Sequence, residues 1–180
     1  ASASELKATN FTYKTIGMDK LGRKEPCLYL MNHSSFIDLK IVSAILYPRR
    51  FNIVMTSDGF VGKRWLMRSL GCIPTNKFVT DTALVRNMTK CFNRLHTSVL
   101  LYPEASYSFD GTATPLPYGL GKCLKILEVP VVFIKTEGAF LRDPLYNNLQ
   151  LRQVNVSATM EYLFSPKQIS DMTVDEINAK

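Results

Sequence analysis

Histidine is scarce in this chain, with only His33 and His96 among 180 residues. Two imidazoles do not make a histidine-rich metal centre, and the four cysteines, at positions 27, 72, 91 and 123, form no C-x-x-C knuckle or redox pair. The chemistry is therefore expected to need no metal and no resident cofactor, and the cysteines read as small apolar residues of a reducing compartment. Long apolar runs are missing too. Nothing approaches the roughly 20 residues that a bilayer crossing requires, and the opening Ala-Ser-Ala-Ser lacks the basic and apolar regions of a secretory signal, so membrane contact is expected to be peripheral. Negative charge is in the minority, 15 Asp+Glu against 22 Lys+Arg, and the net +7 favours anionic partners such as phospholipid headgroups or phosphorylated acyl carriers. Nucleic acid is the weakest of these. The cations are dispersed in pairs such as Arg49-Arg50 and Lys63-Arg64, with no zinc-finger or RNA-recognition signature, and no nucleic-acid partner is expected.

What is present is a core-forming composition: 46% hydrophobic and 21% charged residues exclude a disordered chain. No repeat, low-complexity run or long linker divides it, so one domain over residues 1–180 is expected. Strand-like and helix-like stretches alternate, which is an α/β pattern. Strands are expected at Phe11-Thr15, Cys27-Met31, Phe51-Met55, Ser98-Tyr102 and Val129-Lys135. Helices are expected at Phe36-Leu46, near Gly62-Leu70, at Thr82-His96 with Thr80-Asp81 as its cap, and at Tyr118-Leu127. In the third helix Leu84, Val85, Met88, Cys91, Phe92 and Leu95 form an apolar stripe that reads as core. Val154, Val156, Ala158, Met160 and Tyr162 alternate with polar residues, the period of a strand at or near a sheet edge. Thr173-Val174-Asp175-Glu176 has capping-box spacing, and so few residues follow it that the domain is expected to stop early there.

Four short blocks carry the chemistry. Asn32-His33-Ser34-Ser35-Phe36-Ile37-Asp38 follows an apolar strand and sets a histidine four intervening residues before an aspartate. A neutral imidazole takes a proton efficiently near pH 7, and a carboxylate on its other nitrogen fixes the tautomer and stabilises the imidazolium. The same letters also describe a polar cap at a strand end, so the other blocks decide. Gly71-Cys72-Ile73-Pro74-Thr75-Asn76-Lys77 ends in a cation, Tyr102-Pro103-Glu104-Ala105-Ser106-Tyr107-Ser108 follows a second apolar strand, and Val129-Pro130-Val131-Val132 opens a third. In this order the blocks resemble the glycerolipid acyltransferase family, with its N-H-x-x-x-x-D, its F-P-E-G-T-R-S and its closing V-P-[VI]-[VI] strand. The resemblance runs from about Leu28 to Ile134.

That resemblance implies a mostly parallel central sheet flanked by helices. It implies acyl transfer from an acyl thioester, on CoA or an acyl carrier protein, to a hydroxyl of a lysophospholipid such as 1-acylglycerol-3-phosphate. His33 would be the general base and Asp38 its partner; Lys77, Glu104, Ala105, Ser106 and Tyr107 would bind substrate. The chain departs from the family at Ala105 and Tyr107, where glycine and arginine are usual, and at Lys77, where arginine is common. A lysine keeps a point charge but loses the bidentate fork, and a tyrosine offers one hydroxyl. If the strands that precede the first and third blocks, ending at Met31 and Tyr102, are parallel neighbours, their carboxyl ends deliver His33, Asp38 and Glu104 to one crevice. An ideal helix would turn positions 33 and 38 roughly 140° apart, so His33 is expected in the loop with Asp38 reaching back from the first helical turn. A serine hydrolase is disfavoured, because no G-x-S-x-G elbow presents Ser34, Ser106 or Ser108. An acyltransferase-like lipid-binding module without turnover stays open as the alternative. The expected station is cytoplasmic and peripheral, at the inner face of an anionic membrane, with Phe60, Trp65 and Leu66 beside Lys63-Arg64 as the contact patch. By residue type, Trp65 is expected to be partly buried in the core.

Overall fold

The computed structural model describes residues 6–7, 9–35, 37–76, 82–104, 106–108, 111–112, 114–142 and 152–180. Two runs of apolar residues set its centre. Strand β2 (Leu28–Met31) is buried at all four positions, with Tyr29 and Met31 on one face and Leu28 and Leu30 on the other. A strand covered on both faces needs no polar alternation, and such strands belong to parallel sheets. β2 pairs in parallel with β5 (Ser98–Leu101) on one side and with β6 (Val131–Glu137) on the other. Beyond β5 lie β3 (Phe51–Thr56) and then β4 (Cys72–Thr75), both parallel to it.

At the opposite edge β7 (Ser157–Phe164) runs antiparallel to β6, and β1 (Thr12–Ile16) pairs in parallel with β7. The seven-stranded order is β1-β7-β6-β2-β5-β3-β4. The alternating stretch is thus second from the edge, with Val156, Ala158 and Met160 buried as the pattern requires, although the strand begins at Ser157 rather than 154.

Helices cover both faces. α1 (Asp38–Leu46) buries Ile41, Val42, Ile45 and Leu46 against one. α3 (Thr82–Asn93) and α4 (Gly119–Leu127) cover the other, joined by the short α6 (Pro166–Asp171) and α7 (Val174–Asn178). Two further short helices are α2 (Arg64–Ser69) between β3 and β4 and α5 (Ala139–Arg142) after β6. Among the described residues no helix is long and apolar enough to cross a membrane.

Several expectations change. The first helix starts at Asp38, and Phe36 and the expected cap Thr80-Asp81 lie outside the described residues. The stripe on α3 is core at Met88, Cys91 and Phe92, but Leu95 lies past the helix end and is exposed. There the chain turns at His96 with φ 50. Trp65 is 81% exposed, not partly buried, because α2 turns it away from the sheet edge, and it is Phe60 that is buried instead. The capping box at Thr173 forms as its spacing implies.

Candidate active site

The parallel arrangement places the carboxyl ends of β2, β3, β4, β5 and β6 along one edge, and the first and third blocks both emerge there. His33 occupies the loop after β2, and Asp38 is the first residue of α1, reaching back to it. His33 Nδ1 and Asp38 Oδ2 are 3.0 Å apart, with the carboxylate fully buried and the imidazole still reachable from solvent. A buried carboxylate must be fully hydrogen-bonded. Asp38 Oδ2 also accepts from the Ser34 and Ser35 backbone N–H groups at 2.8 and 3.0 Å, and Oδ1 accepts from the Ser34 hydroxyl at 3.3 Å. These contacts explain why helix α1 starts where it does. The amides that would extend it backward are turned onto the side chain of Asp38, and they are thereby unavailable to a substrate oxyanion.

Asn32 fixes the strand end that carries His33. Its side-chain oxygen accepts from the Thr136 N–H at 2.7 Å and hydroxyl at 3.2 Å, and its amide donates to the Thr136 carbonyl at 3.0 Å. The side chain thus continues the β2–β6 ladder by one rung after the backbone of β2 has turned away. Ser34 and Thr136 hydroxyls, 3.4 Å apart, complete the network. Sequence reasoning gave neither Thr136 nor Ser34 a role in supporting the site. Asn32 stood in the first block, but its partner is 104 residues distant, and only the β2–β6 register brings them together.

The third block closes over the histidine. The Ser108 N–H donates to the His33 carbonyl at 2.7 Å, and the rings of Tyr102 and Tyr107 lie on His33 with centroids 3.9 and 3.8 Å away, tilted by 22° and 31°. The imidazole is thus held between two tyrosine rings. Burial pushes the Tyr102 phenol far above its ordinary range, reinforced by the nearby Asp38 carboxylate and Tyr107, so it stays neutral. Burial also raises Glu104 above the usual carboxylate range, against the opposing pull of Thr114 and His33. Glu104 Oε2 is buried, with no hydrogen-bond partner among the described residues.

The remaining sequence candidates divide. Ser106 is exposed, and its hydroxyl turns back to the Glu104 carbonyl at 3.3 Å. Ala105 and Lys77 lie outside the described residues. β4 ends at Thr75 on the same edge, where the Ser57 hydroxyl reaches the Thr75 carbonyl at 3.0 Å and Asn76 Oδ1 at 2.9 Å, so the second block arrives at the crevice. Gly71 of that block has a local reason to be glycine. Its φ of 80 is a left-handed turn, and a Cβ there would stand 2.8 Å from Asn52 Nδ2, which donates to the Gly71 carbonyl.

Chemically, the cluster offers an imidazole whose Nδ1 is tied to a buried carboxylate, leaving Nε2 to take or give a proton, beside a second carboxyl with one oxygen unsatisfied. Among the described residues no group of His, Cys, Asp and Glu is suited to hold a metal ion.

Comparison with known proteins follows the same lines. An acyltransferase family model matches residues 13–134. Over 133 residues the chain is 28% identical to the chloroplastic 1-acyl-sn-glycerol-3-phosphate acyltransferase BAT2 of Brassica napus, a match covering 70% of this chain and 38% of that one. The chain thus spans well under half the length of that curated relative. The crystal structure of the 1-acyl-sn-glycerophosphate acyltransferase PlsC from Thermotoga maritima shares the fold. Its TM-score is 0.71 at 15% identity, over 98% of this chain and 73% of that one.

Proposed function

Because the chain belongs to the glycerolipid acyltransferase family, we propose that it moves a fatty acyl group from a thioester, on CoA or an acyl carrier protein, to the hydroxyl of a lysophospholipid. The observation that carries this reading is the His33–Asp38 pair at 3.0 Å, set at the carboxyl edge of a parallel sheet. Asp38 holds the Nδ1 proton of His33, so Nε2 is the basic nitrogen. Nε2 takes the proton of the acceptor hydroxyl as its oxygen attacks the thioester carbonyl. The tetrahedral oxyanion collapses, the carbon–sulfur bond breaks, and the imidazolium returns the proton to the departing thiolate. No acyl-enzyme is required. Nothing consumed in the sequence comes from outside the two substrates.

Glu104 positions the acceptor: its unsatisfied, buried Oε2 would accept from a second substrate hydroxyl. Lys77, and Ser106 and Ala105 beside Glu104, complete the substrate contacts on the family pattern. Tyr107 qualifies the identity of the acceptor. In this chain its ring is spent on His33, at the position where the family usually carries an arginine. A phosphomonoester such as 1-acylglycerol-3-phosphate would then rely on Lys77 for charge, and a lysophospholipid with a zwitterionic or uncharged head would need no such contact. With a lipid acceptor and a water-soluble donor, the chain would work peripherally at the inner, cytoplasmic face of a membrane.

The test is substitution of the pair. His33→Ala should abolish transfer, and Asp38→Asn should lower kcat by roughly 10³–10⁴-fold while acceptor KM changes little, because an amide cannot stabilise the imidazolium. Near-wild-type turnover by a folded His33→Ala protein would rule the mechanism out.

A further inference from the structure

Between Asp58 and Asp81 the chain carries no carboxylate, yet it holds Lys63, Arg64 and Arg68. In the ten residues 61–70 every position except Met67 is exposed. Four of the exposed side chains are large and apolar, Val61 at 79%, Trp65 at 81%, Leu66 at 46% and Leu70 at 64%. Single exposed apolar residues are ordinary, but this density beside a one-sign charge cluster is not. Helix geometry sorts the segment further. At about 100° per residue along α2, Arg64 and Arg68 share one flank while Trp65 and Leu66 open the adjacent arc.

Its place in the fold ties the segment to the crevice. It leaves the carboxyl end of β3 at Thr56 through one short turn at Ser57–Phe60, on the same sheet edge from which the loops of His33 and Glu104 emerge. We propose that residues 61–70 dock the protein on an anionic lipid surface, with Trp65, Leu66 and Val61 entering the headgroup region and the three cations on the phosphates. This deepens the acyltransfer reading, on which it rests for the lipid nature of the acceptor, by assigning the surface that brings the crevice to it. A covering protein segment would have to supply carboxylates to three cations at once, whereas an anionic bilayer offers phosphate and hydrocarbon side by side. Tryptophan is favoured at that depth.

Sedimentation with vesicles of phosphatidylcholine alone, and with phosphatidylglycerol added, tests the proposal. The chain should co-sediment with the anionic vesicles at low salt and be released as salt rises. Lys63→Glu/Arg64→Glu/Arg68→Glu should weaken that partitioning at least about hundredfold, and Trp65→Ala several-fold with the salt dependence kept. All four side chains are exposed, so both variants should unfold at the wild-type temperature; the salt titration of the unaltered chain tests the electrostatic part without any substitution. Equal binding to both vesicle types, unchanged binding by the variants, or a dimer in solution that the same variants dissociate would overturn the docking surface. Turnover separates the two claims. Docking predicts that the variants lose rate on a vesicle-embedded lysophospholipid but not on a water-soluble short-chain one, and equal losses on both would count against it. A wild-type chain that binds anionic vesicles yet releases no thiol with either acceptor would leave docking standing and remove the acyltransfer reading.

Discussion

His33 gives one nitrogen to Asp38 and both ring faces to tyrosines, so substitutions around it separate orientation from chemistry. Tyr107→Phe keeps the stacked ring and should leave kcat within a few-fold. Tyr107→Arg trades the phenol for a fork that can hold phosphate in two bonds, and it should favour a phosphomonoester acceptor over the wild type in competition assays. Lys77→Ala should raise the KM of such an acceptor by about ten- to hundredfold, the value of one charge-assisted contact, and leave the thioester KM unchanged. If neither change affects lysophosphatidate, the acceptor carries no phosphomonoester at this position. Glu104 sets a pH dependence. Burial raises its pKa, so on acidification it becomes neutral earlier than an ordinary glutamate and ceases to accept two hydrogen bonds. Acceptor KM should therefore climb as pH falls, starting above the usual carboxylate range, and Glu104→Gln should flatten that climb in initial-rate measurements. The short-range half of this site was legible in the sequence: His33 and Asp38 lie five positions apart, and Glu104 sits in a recognisable block. The tyrosine sandwich and the Asn32–Thr136 tie were not, because each joins residues about 70 to 104 positions apart whose meeting depends on strand register.

The helix α4 is capped from outside. Tyr118 before it makes no side-chain cap, and Asn178 of α7 serves instead: its oxygen accepts from the Gly121 N–H at 2.9 Å and its amide donates to the Tyr118 carbonyl at 3.1 Å. Gly121 lets α7 come this close, since a Cβ there would stand 2.6 Å from Asn178 Oδ1. The Thr173–Glu176 capping box holds α7 in turn, with Thr173 Oγ1 accepting from the Glu176 N–H at 3.2 Å. Thr173→Ala should cost about 0.5–2 kcal/mol in urea unfolding and speed amide exchange at the start of α4, with turnover per folded molecule unchanged. Unaltered exchange at Gly121 would show that α7 does not cap α4. Elements of this kind were readable where one local signal dominates, as in the apolar runs of β2 and β5 or the spacing at Thr173. Where side chains compete with backbone the bounds shifted: α1 begins two residues late because Ser34 and Ser35 amides serve Asp38. The pairing of β7 with β1 had no local signal at all, since those two strands lie near opposite ends of the chain, whereas β6 is the strand just before β7.

At the scale of the whole molecule, five parallel strands aim their carboxyl ends at one edge, and both the crevice and the start of the basic, apolar segment 61–70 lie along it. The excess of cations was plain in the composition, but composition does not say where they stand. Trp65 shows the difference: by residue type it belonged to the core, and the β3–α2–β4 crossover at the sheet's outer edge leaves it outside. The family match and the order of the four blocks support the proposed acyl transfer, and that proposal has one direct readout. Purified chain is mixed with acyl-CoA or acyl carrier protein thioester, and thiol release is followed with and without a panel of lysophospholipids, beside a folded His33→Ala control. The expected result is release that depends on one class of acceptor, yields the acylated lipid in equal amount, and disappears in His33→Ala. Release that is absent with every acceptor, or that proceeds equally in the His33→Ala protein, would contradict acyl transfer by the His33–Asp38 pair.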